Sequence, residues 1–250
     1  MNNYKNILVN TKSSVCFISL NKSKKLNALS SLVLKEITKV CNEVAKNKKI
    51  KIVVISSTSE NFSAGADITE ANKNKSFEDH WHENAGRNCV DSIINLPQLS
   101  ICLIEGYCLG GGAVIASACD FRIANENSFI GYPEIELGMN LSWLGLPLAI
   151  EAVGLSEAKH MILSGEKFSA EEMFSKGFLN EVFKPSEKDA CLKKWVNKFK
   201  NMPGLQLKMI KKSANELAYA EAKATMHMEF DQFLLSRNCL LYTSPSPRDG

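Results

Sequence analysis

The sequence lacks the features that mark several large classes of protein. No apolar run approaches the roughly 20 residues that a membrane-spanning helix needs, and no secretory leader opens the chain. The 30 Lys and Arg residues are balanced by 27 Asp and Glu residues, which leaves a net charge of +3. That charge is too small to favour a nucleic-acid partner. We therefore expect a cytoplasmic protein with neither a membrane span nor a nucleic-acid ligand.

Metal-binding and redox patterns are also missing. None of the eight cysteines lies in a C-x-x-C pair, and the four histidines show no metal-ligand spacing. Several cysteines lie in apolar stretches, where a thiol behaves as a small hydrophobic side chain: Cys16, Cys102, Cys108 and Cys119. The sequence therefore predicts no metal site, and it favours a reducing compartment.

The most informative stretch is residues 99–120, LSICLIEGYCLGGGAVIASACD. An apolar run leads through Gly106 into Gly110, Gly111 and Gly112, which open a helical pattern of small residues. This pattern predicts a buried strand, a tight turn and a helix whose first N–H groups are free to meet an anion or an oxyanion. It lacks the spacing of dinucleotide and P-loop motifs, and G-x-S-x-G is absent. Close strand–helix packing without a ligand is the alternative interpretation.

A second loop of small residues follows another apolar strand. Residues 61–70, NFSAGADITE, come after the run IKIVVI at 50–55. Two such loops can each direct one backbone N–H at the same oxygen, which is how a two-donor oxyanion hole is built.

The rest of the chain alternates between strand and helix patterns. Strands are predicted at 15–20, 50–56, 99–104 and 121–124, and helices after Ser30 or Ser31, in the polar stretch 71–88, and from 203 to about 235. Ser169 and Glu172 form a capping-box pattern, and Gly177 ends the helix that it opens. This alternation predicts an α/β fold with a mostly parallel sheet.

Six motifs occur in the order found in the crotonase family, which contains the enoyl-CoA hydratases and isomerases. They are KLNALS (25–30), FSAGADI (62–68), EGYCLGGG (105–112), ACDFRIA (118–124), GYPEIELGM (131–139) and LSGEKFSAEEMFSKGFLNEV (163–182). The resemblance covers residues 4–235. It implies a β-β-α spiral core over residues 1–190, a C-terminal helical region over 191–238, and assembly as a homotrimer or homohexamer.

The resemblance also implies a site for an acyl-CoA thioester, whose coenzyme A enters as part of the substrate, with no separate cofactor. The N–H groups of Ala66 and Gly111 would hold the thioester oxygen, and Glu134 would move protons. The family pattern places coenzyme A against two backbone segments, comprising Lys25, Leu26, Ala28, Ala64, Gly65, Asp67 and Ile68.

The chain departs from the hydratase pattern at Val114, where the hydratases that it resembles carry a second glutamate. Hydration needs two groups, whereas one glutamate suffices to move a proton between the α and γ carbons. We therefore expect a 3-enoyl to 2-enoyl-CoA isomerase. Alternatives are a hydratase whose second group is Asp67, Glu136 or a substrate carboxylate, a malonyl-type decarboxylase, and a weakly catalytic CoA- or RNA-binding relative.

Two further segments depart from the family. Residues 140–150, NLSWLGLPLAI, place Trp143 and Leu144 where hydratases carry glycine and polar residues, which predicts a drier wall near the catalytic loop or simple core packing. Residues 239–250, CLLYTSPSPRDG, break the helical pattern and predict a disordered tail, either natural or left by cloning or read assembly.

Overall fold

The protein is built on a six-stranded and a three-stranded sheet in a computed structural model that describes residues 4–70, 84–220, 222 and 227–243. The strands are β1 (Ile7–Lys12), β2 (Val15–Leu20), β3 (Ile52–Ser57), β4 (Leu99–Ile104), β5 (Tyr107–Leu109), β6 (Phe121–Asn125), β7 (Phe129–Gly131), β8 (Lys167–Ser169) and β9 (Glu181–Phe183). The large sheet has the strand order β1-β2-β3-β4-β6-β9, and the small sheet has the order β5-β7-β8. The β1–β2 and β7–β8 pairs are antiparallel and the other pairs are parallel. The predicted α/β class and mostly parallel sheet are confirmed.

Helices follow most of the strands. They are α1 (Ser31–Ala45), α2 (Ala85–Ile94), α3 (Gly111–Ser117), α4 (Gly145–Val153), α5 (Leu155–Ser164), α6 (Ala170–Ser175), α7 (Lys188–Lys200), α8 (Gly204–Ala218) and α9 (His227–Thr243). Short 3₁₀ turns lie at Ser23–Lys25, Ile68–Glu70, Pro133–Leu137 and Pro185–Glu187. Within the described ranges, no helix is both long enough and apolar enough to cross a membrane.

The large sheet is covered on both faces, which is why its inner strands read as continuous apolar runs. In β3, Val53 and Ile55 join the larger core with the buried sides of α1 and α2. Ile52 and Val54 join a smaller core on the other face, against Trp195 of α7. The predicted boundary at residue 190 therefore falls inside α7, a helix that packs on the sheet.

Local sequence signals place two helix starts where they were predicted. The Ser30 hydroxyl accepts the N–H of Val33 at 3.3 Å, and α1 buries one face at three- and four-residue spacing. The Ser169 hydroxyl accepts the N–H of Glu172, whose carboxylate accepts the N–H of Ser169 at 2.7 Å. This reciprocal pair confirms the predicted capping box.

Strand β1 was not predicted, because Ile7 is its one buried residue and the others give no alternating pattern. The chain end also differs from expectation, since α9 continues through residues 239–243, which were expected to be disordered. The first proline of this segment comes only at Pro245. Of the helical stretch predicted at 71–88, residues 85–88 begin α2, and residues 71–83 lie outside the described residues, as do residues 244–250.

Candidate active site

The two loops of small residues meet at the carboxyl end of the large sheet. The 61–67 loop follows β3. Residues 105–110, where a tight turn was predicted, follow β4 and contain the short strand β5. Parallel neighbours such as β3 and β4 end at the same edge of a sheet. The N–H of Ser63 donates to the carbonyl of Tyr107 at 2.8 Å, and the N–H of Leu109 donates to the carbonyl of Ser63 at 2.9 Å. The backbone itself therefore joins the loops.

Gly65 sets how closely the loops approach each other. Its φ is +96°, and a Cβ there would lie 3.0 Å from the carbonyl oxygen of Leu109 and 3.5 Å from the nitrogen of Gly111. A side chain would both strain this backbone and push the loops apart. The glycine therefore allows the segments that carry Ala66 and Gly111 to lie side by side.

The N–H groups of Ala66 and Gly111 are both available for an external acceptor. Ala66 forms a parallel bridge with Leu29, in which its neighbours make the hydrogen bonds and its own N–H points away from Leu29. Gly111 is the first residue of α3, where an N–H has no partner within the helix. Among the described residues, neither N–H has a backbone acceptor. The pair has the composition of an oxyanion hole.

The carboxylate of Glu134 lies beside Gly110, the residue that precedes one of these donors. It projects from the 3₁₀ turn Pro133–Leu137, and a Cβ on Gly110 would come within 2.7 Å of its Oε1. Its Oε2 is buried and has no hydrogen-bond partner in the described part of the chain. Burial raises the pKa of Glu134 from 4.5 to about 7. A carboxyl group with this pKa can both accept and return a proton near neutral pH.

The apolar residues near Glu134 in the sequence differ in exposure. Tyr132 is buried, whereas Phe129 and Ile135 are 42% and 43% exposed. Glu136 does not share its face, because both residues lie in a 3₁₀ turn, in which side chains two residues apart point in different directions. The Glu136 side chain is exposed and packs beside Gly165. It is therefore not a second acid at this site.

The carboxylate of Asp67 forms ion pairs with two lysines and a hydrogen bond with a threonine. Its Oδ2 accepts from the Nζ atoms of Lys22 at 3.0 Å and Lys25 at 3.3 Å, and its Oδ1 accepts the Thr69 hydroxyl at 2.5 Å. The Thr69 hydrogen bond, followed by those from the two lysines, holds the pKa of this carboxyl well below its ordinary value. Such a group is a poor proton shuttle at neutral pH. Asp67 instead ties the turn at 22–25 to the 61–67 loop.

The residues expected to hold coenzyme A form two adjoining backbone segments. The N–H of Ala64 donates to the carbonyl of Leu26 at 2.9 Å, and Leu26 has a φ of +48°. The N–H of Ala28 donates to the carbonyl of Lys25 at 2.9 Å. Ile68 lies 65% exposed in the 3₁₀ turn that ends this region. The structure thus brings the two predicted segments together.

Sequence reasoning missed the side chains that hold these segments in place. The buried Asn27, with a φ of +53°, donates from Nδ2 to the carbonyl of Asn61 at 2.8 Å. The Ser63 hydroxyl donates to the carbonyl of Asn27 at 2.9 Å and accepts the N–H of Gly65 at 3.1 Å. Asparagine tolerates positive φ better than most residues, so Asn27 was a sequence signal for a left-handed backbone conformation at this position.

Trp143 packs directly over the start of α3. A Cβ on Gly111 would lie 2.3 Å from its Cζ3, and a Cβ on Gly86 in α2 would lie 1.8 Å from its Cε2. The indole therefore occupies the space between two glycines. Val114, which stands at the position of the second hydratase glutamate, is buried in the larger core. Leu144 is buried in the same core.

No metal centre is indicated by the described side chains, because no group of three His, Cys, Asp or Glu residues among them could hold a metal ion. The thiols at Cys16, Cys102, Cys108 and Cys119 are buried, as their apolar settings predicted. Burial raises the pKa of the Cys108 thiol, so that it stays protonated near neutral pH.

These features together define an enzyme that processes acyl-CoA thioesters. The model of the enoyl-CoA hydratase/isomerase family matches residues 10–238, and the chain belongs to this family, the crotonase family. This match confirms the resemblance to the crotonase family that the sequence motifs indicated.

Similar proteins carry several related activities. The chain is 29% identical over 229 residues to a short-chain-enoyl-CoA hydratase of Clostridium acetobutylicum, covering 91% of this chain and 88% of the relative. It is 27% identical over 222 residues to an ethylmalonyl-CoA decarboxylase of Mus musculus, covering 86% and 69%. The crystal structure of an enoyl-CoA hydratase/isomerase from Xanthobacter autotrophicus Py2 matches with a TM-score of 0.85 at 25% identity, covering 94% and 88%. This match confirms the crotonase-type fold.

The packing of Trp143 on Gly86 predicts a strong energetic coupling between them. Gly86→Ala should destabilise the protein by about 1–3 kcal/mol, because its methyl group overlaps the indole. In a Trp143→Ala background the same substitution should be neutral, or stabilise by up to about 1 kcal/mol through helix propensity. Urea unfolding of the four proteins in this double-mutant cycle measures the coupling. Additive changes in the free energy of unfolding would contradict the packing described here.

Proposed function

We propose that the protein converts 3-enoyl-CoA thioesters into their conjugated 2-enoyl isomers, with Glu134 as the proton shuttle. The observation that carries this proposal is the carboxylate of Glu134, whose buried Oε2 has no hydrogen-bond partner among the described residues, beside Gly110 at the start of the helix that carries the Gly111 N–H. Removing a proton next to a thioester carbonyl and returning it two carbons away requires one acid–base group and a means of stabilising an enolate.

The proposed reaction takes place in two proton transfers. The ionised Glu134 takes a proton from C2 of the bound thioester, and the electron pair moves to the carbonyl oxygen to give a dienolate. The protonated Glu134 then gives its proton to C4 while the electrons return and the C2–C3 double bond forms. No water is consumed, and the enzyme ends in its starting state.

The N–H groups of Ala66 and Gly111 stabilise the dienolate oxygen in this scheme. Backbone donors fixed by folding need no reorganisation as the charge develops, and one such donor is worth about 2.7–4 kcal/mol of transition-state stabilisation. Coenzyme A lies along the backbone of Lys25, Leu26 and Ala28 and the adjoining 64–68 segment. The Lys22–Asp67–Lys25 ion pairs hold these two segments together.

Hydration is the second candidate, and the names of similar proteins favour it over isomerisation. The site favours isomerisation, because hydration needs a second group to activate water. Val114 cannot serve, Asp67 is held ionised by its partners, and Glu136 is exposed beside Gly165. Decarboxylation is the third candidate, because one similar protein is named an ethylmalonyl-CoA decarboxylase. This reaction would use the oxyanion hole and would need no second acid.

Three substrates separate these candidates. The purified protein is incubated in heavy-oxygen water with 3-hexenoyl-CoA, with 2-butenoyl-CoA and with ethylmalonyl-CoA, each in a separate reaction. Isomerisation gives conjugated 2-enoyl absorbance from the first substrate without label in the product. Labelled 3-hydroxybutanoyl-CoA as the main product would replace the proposal with hydration, and release of carbon dioxide from the third substrate would replace it with decarboxylation.

The pKa of Glu134 predicts the pH dependence of isomerisation. The shuttle must begin ionised, and its pKa is raised to about 7 by burial. The value of kcat/KM should therefore rise about tenfold per pH unit below pH 7 and reach a plateau above it. Initial rates from pH 5 to 9 measure the profile. A flat profile down to pH 5 would mean that Glu134 is not the group that titrates.

A further inference from the structure

The carboxylate of Glu229 caps the start of α4 from a distant part of the chain. Glu229 lies on α9 and is 7% exposed. Its Oε2 accepts the N–H of Leu144 at 2.7 Å, and its Oε1 accepts the N–H of Leu146 at 3.3 Å. The first N–H groups of a helix need acceptors from outside the helix. Leu144, at the cap position, has an apolar side chain that cannot provide one.

The backbone that Glu229 holds is in an unfavourable conformation. Trp143 and Leu144 have φ values of +64° and +66°, in the left-handed region that residues other than glycine seldom adopt. Such residues keep this conformation only where their surroundings enforce it. The two hydrogen bonds to Glu229 begin directly after Trp143; the bond to Leu144 is buried and the bond to Leu146 is partly buried.

The conformation of this segment determines where the indole lies. Trp143 reaches from the strained pair to Gly111, whose N–H is one of the two candidate oxyanion donors. Gly110, which lies beside Glu134, is the residue that precedes Gly111. A small rotation at residues 143 and 144 would lift the ring from Gly111 and admit water beside the carboxylate.

We propose that Glu229 is a positioning residue for the active site: by accepting the N–H groups of Leu144 and Leu146, it holds Trp143 against Gly111 and keeps water away from the acyl end of the site. This inference deepens the proposed function, on which its catalytic part rests. Its structural part, the control of Trp143 by Glu229, stands on the geometry alone.

Other contacts between α9 and the same segment provide a matched control. Asn140 donates from Nδ2 to Gln232 Oε1 at 3.3 Å, and its N–H donates to the Ser236 hydroxyl at 3.2 Å. These bonds hold the opposite, exposed end of the segment. Arg87 of α2 is the charged group that acts electrostatically on the carboxyl of Glu229 within the described residues. Burial nonetheless raises the pKa of Glu229 to about 7.

Fluorine NMR of the full chain labelled with 5-fluorotryptophan tests the structural part without substrate. The sequence has three tryptophans, and a Trp143→Phe variant assigns the resonance of Trp143. In Glu229→Ala this resonance should shift or broaden. In Glu229→Gln, which retains one acceptor oxygen, it should stay close to its original position, and in Gln232→Ala it should not change.

Kinetics test the catalytic part. Glu229→Ala should lower kcat by about 10- to 100-fold through misplacement of the indole, with the affinity for free coenzyme A unchanged. Glu229→Gln should recover most of the loss. A folded Glu229→Ala protein with an unchanged Trp143 resonance would overturn the inference. If the resonance moves but no variant isomerises 3-hexenoyl-CoA, the proposed function fails and the positioning of Trp143 by Glu229 stands.

Discussion

Glu134→Gln should reduce isomerisation of 3-hexenoyl-CoA by about 10²- to 10⁴-fold in kcat. The substitution keeps the shape of the side chain but removes the group that takes the proton from C2. It also removes a buried carboxyl whose Oε2 has no partner among the described residues, so the fold should be retained or stabilised. Stopped-flow absorbance of the conjugated product measures kcat, and calorimetric titration with free coenzyme A shows that the binding site is intact.

The matched control is Glu136→Gln on the same 3₁₀ turn. Glu136 is exposed beside Gly165, so its neutralisation should leave kcat within about twofold of the unmodified protein, as for most surface substitutions. Equal losses in the two variants would show a general effect of charge on the turn. Full activity in Glu134→Gln would mean that another group carries the proton.

Ala66→Pro should reduce kcat by about 10²- to 10³-fold, the loss seen when one oxyanion donor is removed. Proline has no N–H, so the substitution deletes one of the two candidate donors without touching Glu134. The preceding residue is Gly65, whose φ of +96° is accessible to glycine, and the restriction that proline places on its neighbour is therefore mild. The drop in kcat should exceed any change in the affinity for coenzyme A.

Ala66→Ser is the control for the side chain. Ala66 is exposed, and serine keeps the N–H, so activity and melting temperature should remain close to those of the unmodified chain. If Ala66→Pro unfolds the loop, its loss of activity will be accompanied by loss of coenzyme A binding. A folded Ala66→Pro protein with unchanged kcat would remove Ala66 from the proposed oxyanion hole.

Many of the strands and helix starts of the fold could be predicted from local sequence patterns. Strands β2 and β4 have the predicted bounds because most of their residues are buried and apolar, so that each strand begins and ends with its apolar run. The cap at Ser30 and the box at Ser169 follow from side-chain chemistry within a few residues. Where the pattern was weak, as in the edge strand β1, the prediction failed.

The site was predictable only in part, because some of its features arise within a short stretch of sequence and others from contacts between distant residues. The glycines that allow a close approach are visible in the sequence, and the family motifs led to Ala66, Gly111 and Glu134. The action of Glu229 on Trp143 joins residues 86 positions apart, within segments whose own patterns resemble ordinary helix and loop. No periodicity marks such a contact, since tertiary packing alone creates it.

The two buried carboxyls also make the folded protein a proton acceptor near neutral pH. Glu134 and Glu229 each have a pKa raised from 4.5 to about 7, so folding at intermediate pH takes up protons from the solvent. Their contribution to stability is complete below pH 4.5 and is lost as the pH rises through 7. Ionising Glu134 readies it to accept a proton and at the same time weakens the fold around it. Catalytic readiness and conformational stability are therefore opposed in this site, and the same pH range governs both.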